Sequence, residues 1–169
     1  MRYFGAITIT LAALFIGISK AREERMKTQL LRELCSLLEI MKNEICTNKT
    51  PINRVFSMQN LNSFRYVKPF AESIKTEINT IGDRRFCDIW CDCVNEKLST
   101  LPEKSMSALL ALGNCLGRYD AEMQKKSIER CMADIQAEHE SAESSLKNNE
   151  KMYIGLGGGA GAIIALMLI

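Results

Sequence analysis

The chain has 169 residues, of which 47% are hydrophobic and 25% are charged, and its formal net charge is +2. This composition excludes an intrinsically disordered chain and a protein that crosses a membrane many times. The single histidine, His139, excludes a histidine-rich metal site. The small net charge provides no basic field that would attract nucleic acid, so we expect no nucleic-acid partner.

The first segment is an uncharged stretch that runs from Tyr3 to Ser19. As a helix it would be about 26 Å long, close to the roughly 30 Å hydrocarbon layer of a bilayer. The sequence that follows, KAREERMKTQ, is highly charged and lacks the small-residue pattern of a signal-peptide cleavage site. We therefore predict an uncleaved transmembrane anchor over residues 1–19, rather than a secretory signal.

The middle of the chain, residues 20–152, has apolar residues at helical spacing and no strand-like alternation of any length. The six helices that we predict here span residues 20–47, 50–58, 64–81, 84–98, 103–117 and 121–151. The fold class that follows is all-α, a six-helix bundle whose first and last helices continue into the membrane.

Helix boundaries follow from residues with turn and capping preferences. Asn48 tolerates the left-handed conformation that ends many helices, and Thr50 with Pro51 fits an N-cap followed by a first helical residue. Asp83 is expected to cap the fourth helix, and Asp120 the sixth.

The last segment, residues 153–169, is a second uncharged stretch, which we predict to be a transmembrane helix. Two small-xxx-small pairs, Gly155 with Gly159 and Gly157 with Gly161, would allow another helix to approach closely. The alternative, that glycine is simply common in membrane helices, has equal weight.

The flanking cations set the orientation. Lys20, Arg22, Arg25 and Lys27 follow the first predicted span, and Lys147 and Lys151 precede the second. Because cytoplasmic segments carry an excess of Lys and Arg, we expect residues 20–152 to be cytoplasmic.

Seven cysteines are scattered through the predicted helices, an odd number that does not fit a disulfide scaffold. In a reducing cytoplasm most of them would be small core residues. The cluster of Cys87, Cys91 and Cys93 keeps open an alternative function as a redox or metal sensor.

No known catalytic, phosphate-binding or metalloprotease motif is present, which indicates a protein that is not an enzyme and has no cofactor. A binding function would need an exposed surface, and the candidate residues are Arg84, Arg85, Lys125, Lys126 and Arg130. The alternative is that these cations lie on helix faces that are exposed to water and bind no partner.

Two patches resemble the stage III sporulation protein AB family. The first, LLEIMKNEICTNKTPINRVF, holds the family's pattern at Glu44, Ile45, Thr50, Pro51 and Ile52, with Asn48 where the family usually has glycine. The second, ALLALGNCLGRYDAEMQ, holds it at Leu112, Gly113, Leu116, Gly117, Asp120 and Gln124. Physically, Gly113 would permit a close helix crossing and Gly117 would end the fifth helix.

The resemblance implies a mother-cell protein in the outer forespore membrane, required for endospore formation. It implies a platform related to those of type II secretion and type IV pilus systems, with other stage III proteins, including a cytoplasmic ATPase, as partners. Self-association is a further possibility, and a generic membrane-tethered adaptor is the alternative outside sporulation.

Overall fold

The structure of the chain is a computed structural model. It describes residues 15, 17–57, 61, 63–79, 84–117 and 120–147 in full, and the helical backbone alone for residues 2–14, 16, 80 and 148–168. Residues 1, 58–60, 62, 81–83, 118–119 and 169 lie outside the description.

The regular secondary structure of the described residues is helical, with no strand among them. The α-helices are α1 (Arg2–Lys42), α2 (Ile52–Val55), α3 (Lys68–Thr80), α4 (Phe86–Lys97), α5 (Glu103–Cys115) and α6 (Ala121–Leu168). A π-helical turn, Asn43–Thr47, extends α1 by five residues. The predicted all-α fold is therefore confirmed for the part of the chain that the structure describes.

Where the structure describes the chain, no helix contains a stretch that is both long and apolar enough to cross a bilayer. The predicted spans fall mainly on residues whose side chains lie outside the description, including the four glycines at 155, 157, 159 and 161.

The chain divides into two compact units. One contains residues 1–28 and 141–169, and the other contains residues 29–140. In the first unit Lys20 and Lys27 form ion pairs with Glu23, at 3.2 and 2.9 Å. These pairs follow the helical spacing of three and four residues, which brings such side chains together on one face.

The core of the second unit is formed by the apolar stripes of its helices. In α1 the stripe recurs every three or four residues, so one face of the helix is buried while the opposite face meets solvent. The buried members of this stripe are Leu30, Leu31, Leu34, Leu37, Leu38 and Met41.

Trp90 in α4 lies at the centre of this core. Its ring packs edge-on against Phe70 of α3, with centroids 5.2 Å apart, and also contacts Phe56 and Phe86. Its indole Nε1 donates a hydrogen bond of 2.7 Å to the carbonyl oxygen of Leu109 in α5. Since a buried indole N–H needs an acceptor, this bond fixes how α4 and α5 pack.

The third and fourth helices differ from the sequence prediction at their starts. α3 begins at Lys68 and not at 64, because residues 65–67 are held in a bent segment by the carboxylate of Glu33. α4 begins at Phe86 with Arg85 at its N-cap position. The cap predicted at Asp83 is therefore wrong, although Asp83 itself lies outside the described residues.

Candidate functional site

The first family-like patch folds into a turn built around Glu44. The Glu44 carboxylate accepts hydrogen bonds from Asn48 Nδ2 at 3.1 Å and from Thr50 Oγ1 at 2.7 Å. The backbone N–H of Thr50 also donates to the Glu44 carbonyl oxygen at 2.8 Å. One carboxylate thus closes the connection between the π-helical turn and α2.

Two predictions about this turn are wrong. Asn48 has φ −84° and ψ −8°, a right-handed conformation, and the positive φ of 52° is found at Lys49. Pro51 occupies the N-cap position of α2, so Thr50 is not its cap. The physical reason is that the Glu44 carboxylate accepts hydrogen bonds from the Thr50 hydroxyl and the Asn48 side-chain amide. The positive φ and the N-cap therefore each fall one residue later than predicted.

The second patch places Gly113 directly against Trp90. A Cβ at position 113 would overlap the Trp90 ring, lying inside contact distance of Cδ1 and 3.1 Å from Cγ. Leu112 and Leu116 on the same helix are buried, with 2% and 1% of their surface exposed. Gly113 therefore allows the close approach of α5 and α4 at the buried tryptophan.

The end of this patch connects α5 to α6. Gly117 has φ +75°, a left-handed conformation that favours glycine, just after the end of α5. Asp120 Oδ1 accepts a hydrogen bond of 2.8 Å from the Met123 N–H, and the Asp120 carbonyl accepts one from Gln124. This is the geometry of an N-cap, which satisfies amides that have no partner inside the helix.

The structure brings the two patches together at one groove of about 400 Å³. One wall is the end of α1 with the π-helical turn, and the other is the first turns of α6. The lining residues are Lys42, Asn43, Cys46, Thr47, Ala121, Glu122, Lys125 and Glu129. Burial raises the pKa of the Cys46 thiol, and the Lys125 ammonium opposes that shift. The thiol at this groove is therefore mainly protonated at neutral pH.

The five cations predicted as a partner surface fall into two groups. Arg84 pairs with Glu77 and Asp92, and Arg85 forms two hydrogen bonds of 3.0 Å with Asp88. Arg84 therefore bridges α3 and α4, and Arg85 pairs with Asp88 in the first turn of α4, so both guanidinium groups already have carboxylate partners within the fold.

The second group lies on α6. Lys125, Lys126 and Arg130 are exposed, and within the described part of the chain they have no carboxylate within 4.0 Å. The structure therefore does not unite the five predicted cations in one surface. It separates them into ion-paired arginines and an exposed basic stretch of α6.

The cysteine cluster lies largely inside the protein. Cys87 and Cys93 are buried, and Cys91 is half-buried. Burial raises the pKa of the Cys91 and Cys93 thiols, so both are weak nucleophiles at neutral pH. Among the fully described residues, no three His, Cys, Asp or Glu side chains are grouped so that they could hold a metal ion.

Sequence reasoning missed the role of Glu33. Its carboxylate accepts hydrogen bonds from the backbone amides of Arg65, Tyr66 and Val67, at 3.1, 2.7 and 2.9 Å. These amides precede α3, so Glu33 acts as a cap supplied by another helix. No local signal identifies it, because Glu33 is more than thirty residues away in sequence.

The fold and the site together define a class: an all-helical domain in which the residues of the two patches close a turn, cap a helix and allow close packing. The chain belongs to the stage III sporulation protein AB family, because the model of that family matches residues 2–169. This membership supports a role in sporulation.

Two similar proteins agree with this placement. The chain is 25% identical over 177 residues to stage III sporulation protein AB of Bacillus subtilis (strain 168), covering 100% of this chain and 99% of that protein. It is also similar to a solved structure of a stage III sporulation protein AB, with a TM-score of 0.65 and 19% identity, covering 72% of this chain and 97% of that chain. At this level of identity the structural likeness shows the fold alone.

Proposed function

We propose that this chain is a membrane-anchored platform of a sporulation assembly that couples a cytoplasmic ATPase to a channel in the membrane. In this proposal residues 3–19 and 153–169 lie in the mother-cell membrane around the forespore, and residues 20–152 lie in the mother-cell cytoplasm. The chain contributes binding surfaces, with no catalytic residue and no cofactor. Its activity is required for endospore formation.

The observation that carries the proposal is the family membership over residues 2–169, combined with helices that run through both uncharged ends. Near the end of the first stretch, Phe15 is 73% exposed and Ile18 is 53% exposed. Exposed apolar surface costs about 25 cal/mol per Å² in water, and contact with lipid would remove that cost. These side chains therefore favour an anchor in the bilayer.

The charges next to the first stretch support the orientation. Lys20 and Lys27 form ion pairs with Glu23 and Glu24, and Arg22 is exposed. Lysine and arginine that flank a span are retained on the cytoplasmic side. The proposal accordingly places Arg22 and the adjacent cations at the cytoplasmic surface.

The partner surface in this proposal is the exposed basic stretch of α6. Among the described residues, none of the cations of this stretch has a carboxylate within 4.0 Å, so each can pair with an acidic partner without breaking an ion pair described there. Charge complementarity of this kind increases association rates and selects partners. Arg84 and Arg85, which are already paired, are less suited to this role.

The test is affinity isolation of the tagged full chain from sporulating cells, in mild detergent. The proposal predicts co-isolation of the stage III ATPase and loss of most of it with the double variant Lys125→Glu, Lys126→Glu. The matched control is Lys75→Glu, which reverses an exposed lysine on α3 and should leave the yield unchanged. Isolation of the wild-type chain without any stage III protein would contradict the proposal.

A further inference from the structure

A groove with a volume of about 610 Å³ lies between α5 and α6. This volume is within the range of small-molecule sites, roughly 300–1,000 Å³. Several of the lining residues have small or apolar side chains: Ala108, Ala111, Leu112, Cys115 and Cys131. Small side chains along a groove let the backbone of another helix approach closely.

The lining also includes polar and charged side chains, and two of the charges follow one another along α6. Arg130 and Asp134 both line it, and they are one helical turn apart, about 6 Å along the axis. Glu103 lines the groove from α5. Lys104 beside it is engaged by Glu138, at 3.8 Å. The groove therefore offers a cation in one turn of α6 and carboxylates towards its other end.

The apolar surface continues beyond the groove along the same face of α6. Met123 is four residues before Ser127 and seven before Arg130, which puts all three on one face of the helix. The side chain of Met123 is 51% exposed, and Ser127 lines the groove. Methionine is a flexible side chain that adapts to an apolar partner.

From these features we infer that the groove between α5 and α6 binds an amphipathic helix of a partner protein. The face of that helix carries small apolar residues, a carboxylate that meets Arg130, and a Lys or Arg one turn away that meets Asp134 and Glu103. The inference deepens the proposed function and rests on it, since the partner is taken to be another component of the same assembly. Helix-in-groove recognition uses anchors with this spacing.

A second copy of the chain fits the groove less well. Two copies anchored in one membrane would meet groove to groove at equal heights above it, so Arg130 would face Arg130 and Asp134 would face Asp134. Like charges placed opposite each other oppose association. The order of charges therefore favours a different protein, with a carboxylate opposite Arg130 and a basic residue opposite Asp134.

The test uses the full chain in sporulating cells, with the photo-crosslinking residue p-benzoylphenylalanine in place of Ala111, an exposed residue on the α5 side of the groove. The control position is Ala133, which is exposed on α6 but does not line the groove. We expect a crosslink from position 111 only, mapped by mass spectrometry to a helical segment with a carboxylate and a basic residue three or four positions apart.

Arg130→Glu should lower the yield of this crosslink roughly tenfold, which corresponds to about 1.4 kcal/mol. Exchanging the partner's carboxylate for arginine should restore it. Ala111→Trp, which fills the groove, should reduce co-isolation of the same partner, whereas Ala133→Trp should not. These two tryptophan variants keep the test valid if the charge reversal disturbs folding.

The inference is overturned if the crosslinked peptide belongs to a second copy of the chain or lacks a carboxylate. Equal yields from positions 111 and 133, no crosslink, or a yield insensitive to Arg130→Glu would also overturn it. Co-isolation of the stage III ATPase with the wild-type chain is scored separately. The ATPase can be co-isolated even if position 111 gives no crosslink. That combination would overturn the groove inference and leave the proposed platform function standing, so the two are tested separately.

Discussion

At the scale of single residues, Gly113 sets the distance between α4 and α5. The indole ring of Trp90 fills the space that a side chain at position 113 would take, and Trp90 is fully buried and tied to Leu109 by a hydrogen bond. Neither helix can move without breaking that bond or opening the aromatic cluster around Phe70. The glycine is therefore required for packing and not for backbone flexibility.

Gly113→Ala should destabilise the protein. Overpacking a rigid core costs about 1–3 kcal/mol, and the better helix propensity of alanine offsets about 1 kcal/mol, so we expect a net loss of up to about 2 kcal/mol. The measurement is thermal unfolding of the full chain in micelles, followed by circular dichroism. Gly17→Ala is the matched control, since nothing lies within 4 Å of a Cβ at that position. Equal melting temperatures for the two variants would contradict this account.

Cys131 gives a prediction about pH. Burial raises the pKa of its thiol from 9.0 to about 12. Between these values the unfolded chain loses this proton and the folded chain keeps it, so the thiol's contribution to stability declines as pH rises above 9. The expected slope is about 1 kcal/mol per pH unit.

The check is the free energy of unfolding between pH 8 and 11, measured for the wild type and for Cys131→Ala. The variant should be less stable at pH 8, because it leaves a small cavity, but its stability should fall less steeply with pH. Parallel curves would show that Cys131 does not titrate as described.

At the scale of helices, α3 depends on a residue of α1. Glu33 accepts hydrogen bonds from the backbone amides of residues 65–67 and thereby holds the bent segment from which α3 starts. Glu33→Gln keeps the size of the side chain but removes the charge and one acceptor oxygen. We expect a loss of about 1–3 kcal/mol in stability and faster hydrogen exchange at amides 65–67.

Glu39→Gln is the matched control for this variant, because Glu39 is an exposed glutamate of the same helix. It should leave both the stability and the exchange of amides 65–67 unchanged. If Glu33→Gln behaves like the control, the interhelical cap contributes nothing to α3.

The sequence predicts a helix boundary correctly where neighbouring residues set it, and incorrectly where a more distant residue sets it. The start of α6 at Asp120 and the turn at Gly117 depend on neighbouring residues, and both are found where the sequence puts them. The start of α3 depends on Glu33, and the positive φ at Lys49 depends on Glu44. These hydrogen bonds form only once the fold brings their donors and acceptors together, so a single sequence does not reveal them.

The same reasoning applies to the candidate site. Gly113 could be singled out from the sequence pattern around it, but the two grooves could not, because each forms only when two separate helices pack together. The ion pair between Arg84 and Asp92 likewise could not be predicted before the fold was known. Sequence alone could not separate these paired arginines from the exposed Lys125 and Lys126.

At the scale of the whole molecule, the central claim is that the two ends lie in lipid and that residues 20–152 face the cytoplasm. This middle section contains most of the cleavage sites for trypsin, including Lys49 and Arg84 in exposed connections. The most direct test is trypsin treatment of protoplasts from vegetative cells that produce the full chain, before and after permeabilisation, combined with carbonate extraction of the membranes. The account predicts a chain that resists trypsin in intact protoplasts, is cut after permeabilisation and stays with the membrane in carbonate. Cleavage in intact protoplasts, or release of the chain by carbonate, would contradict it.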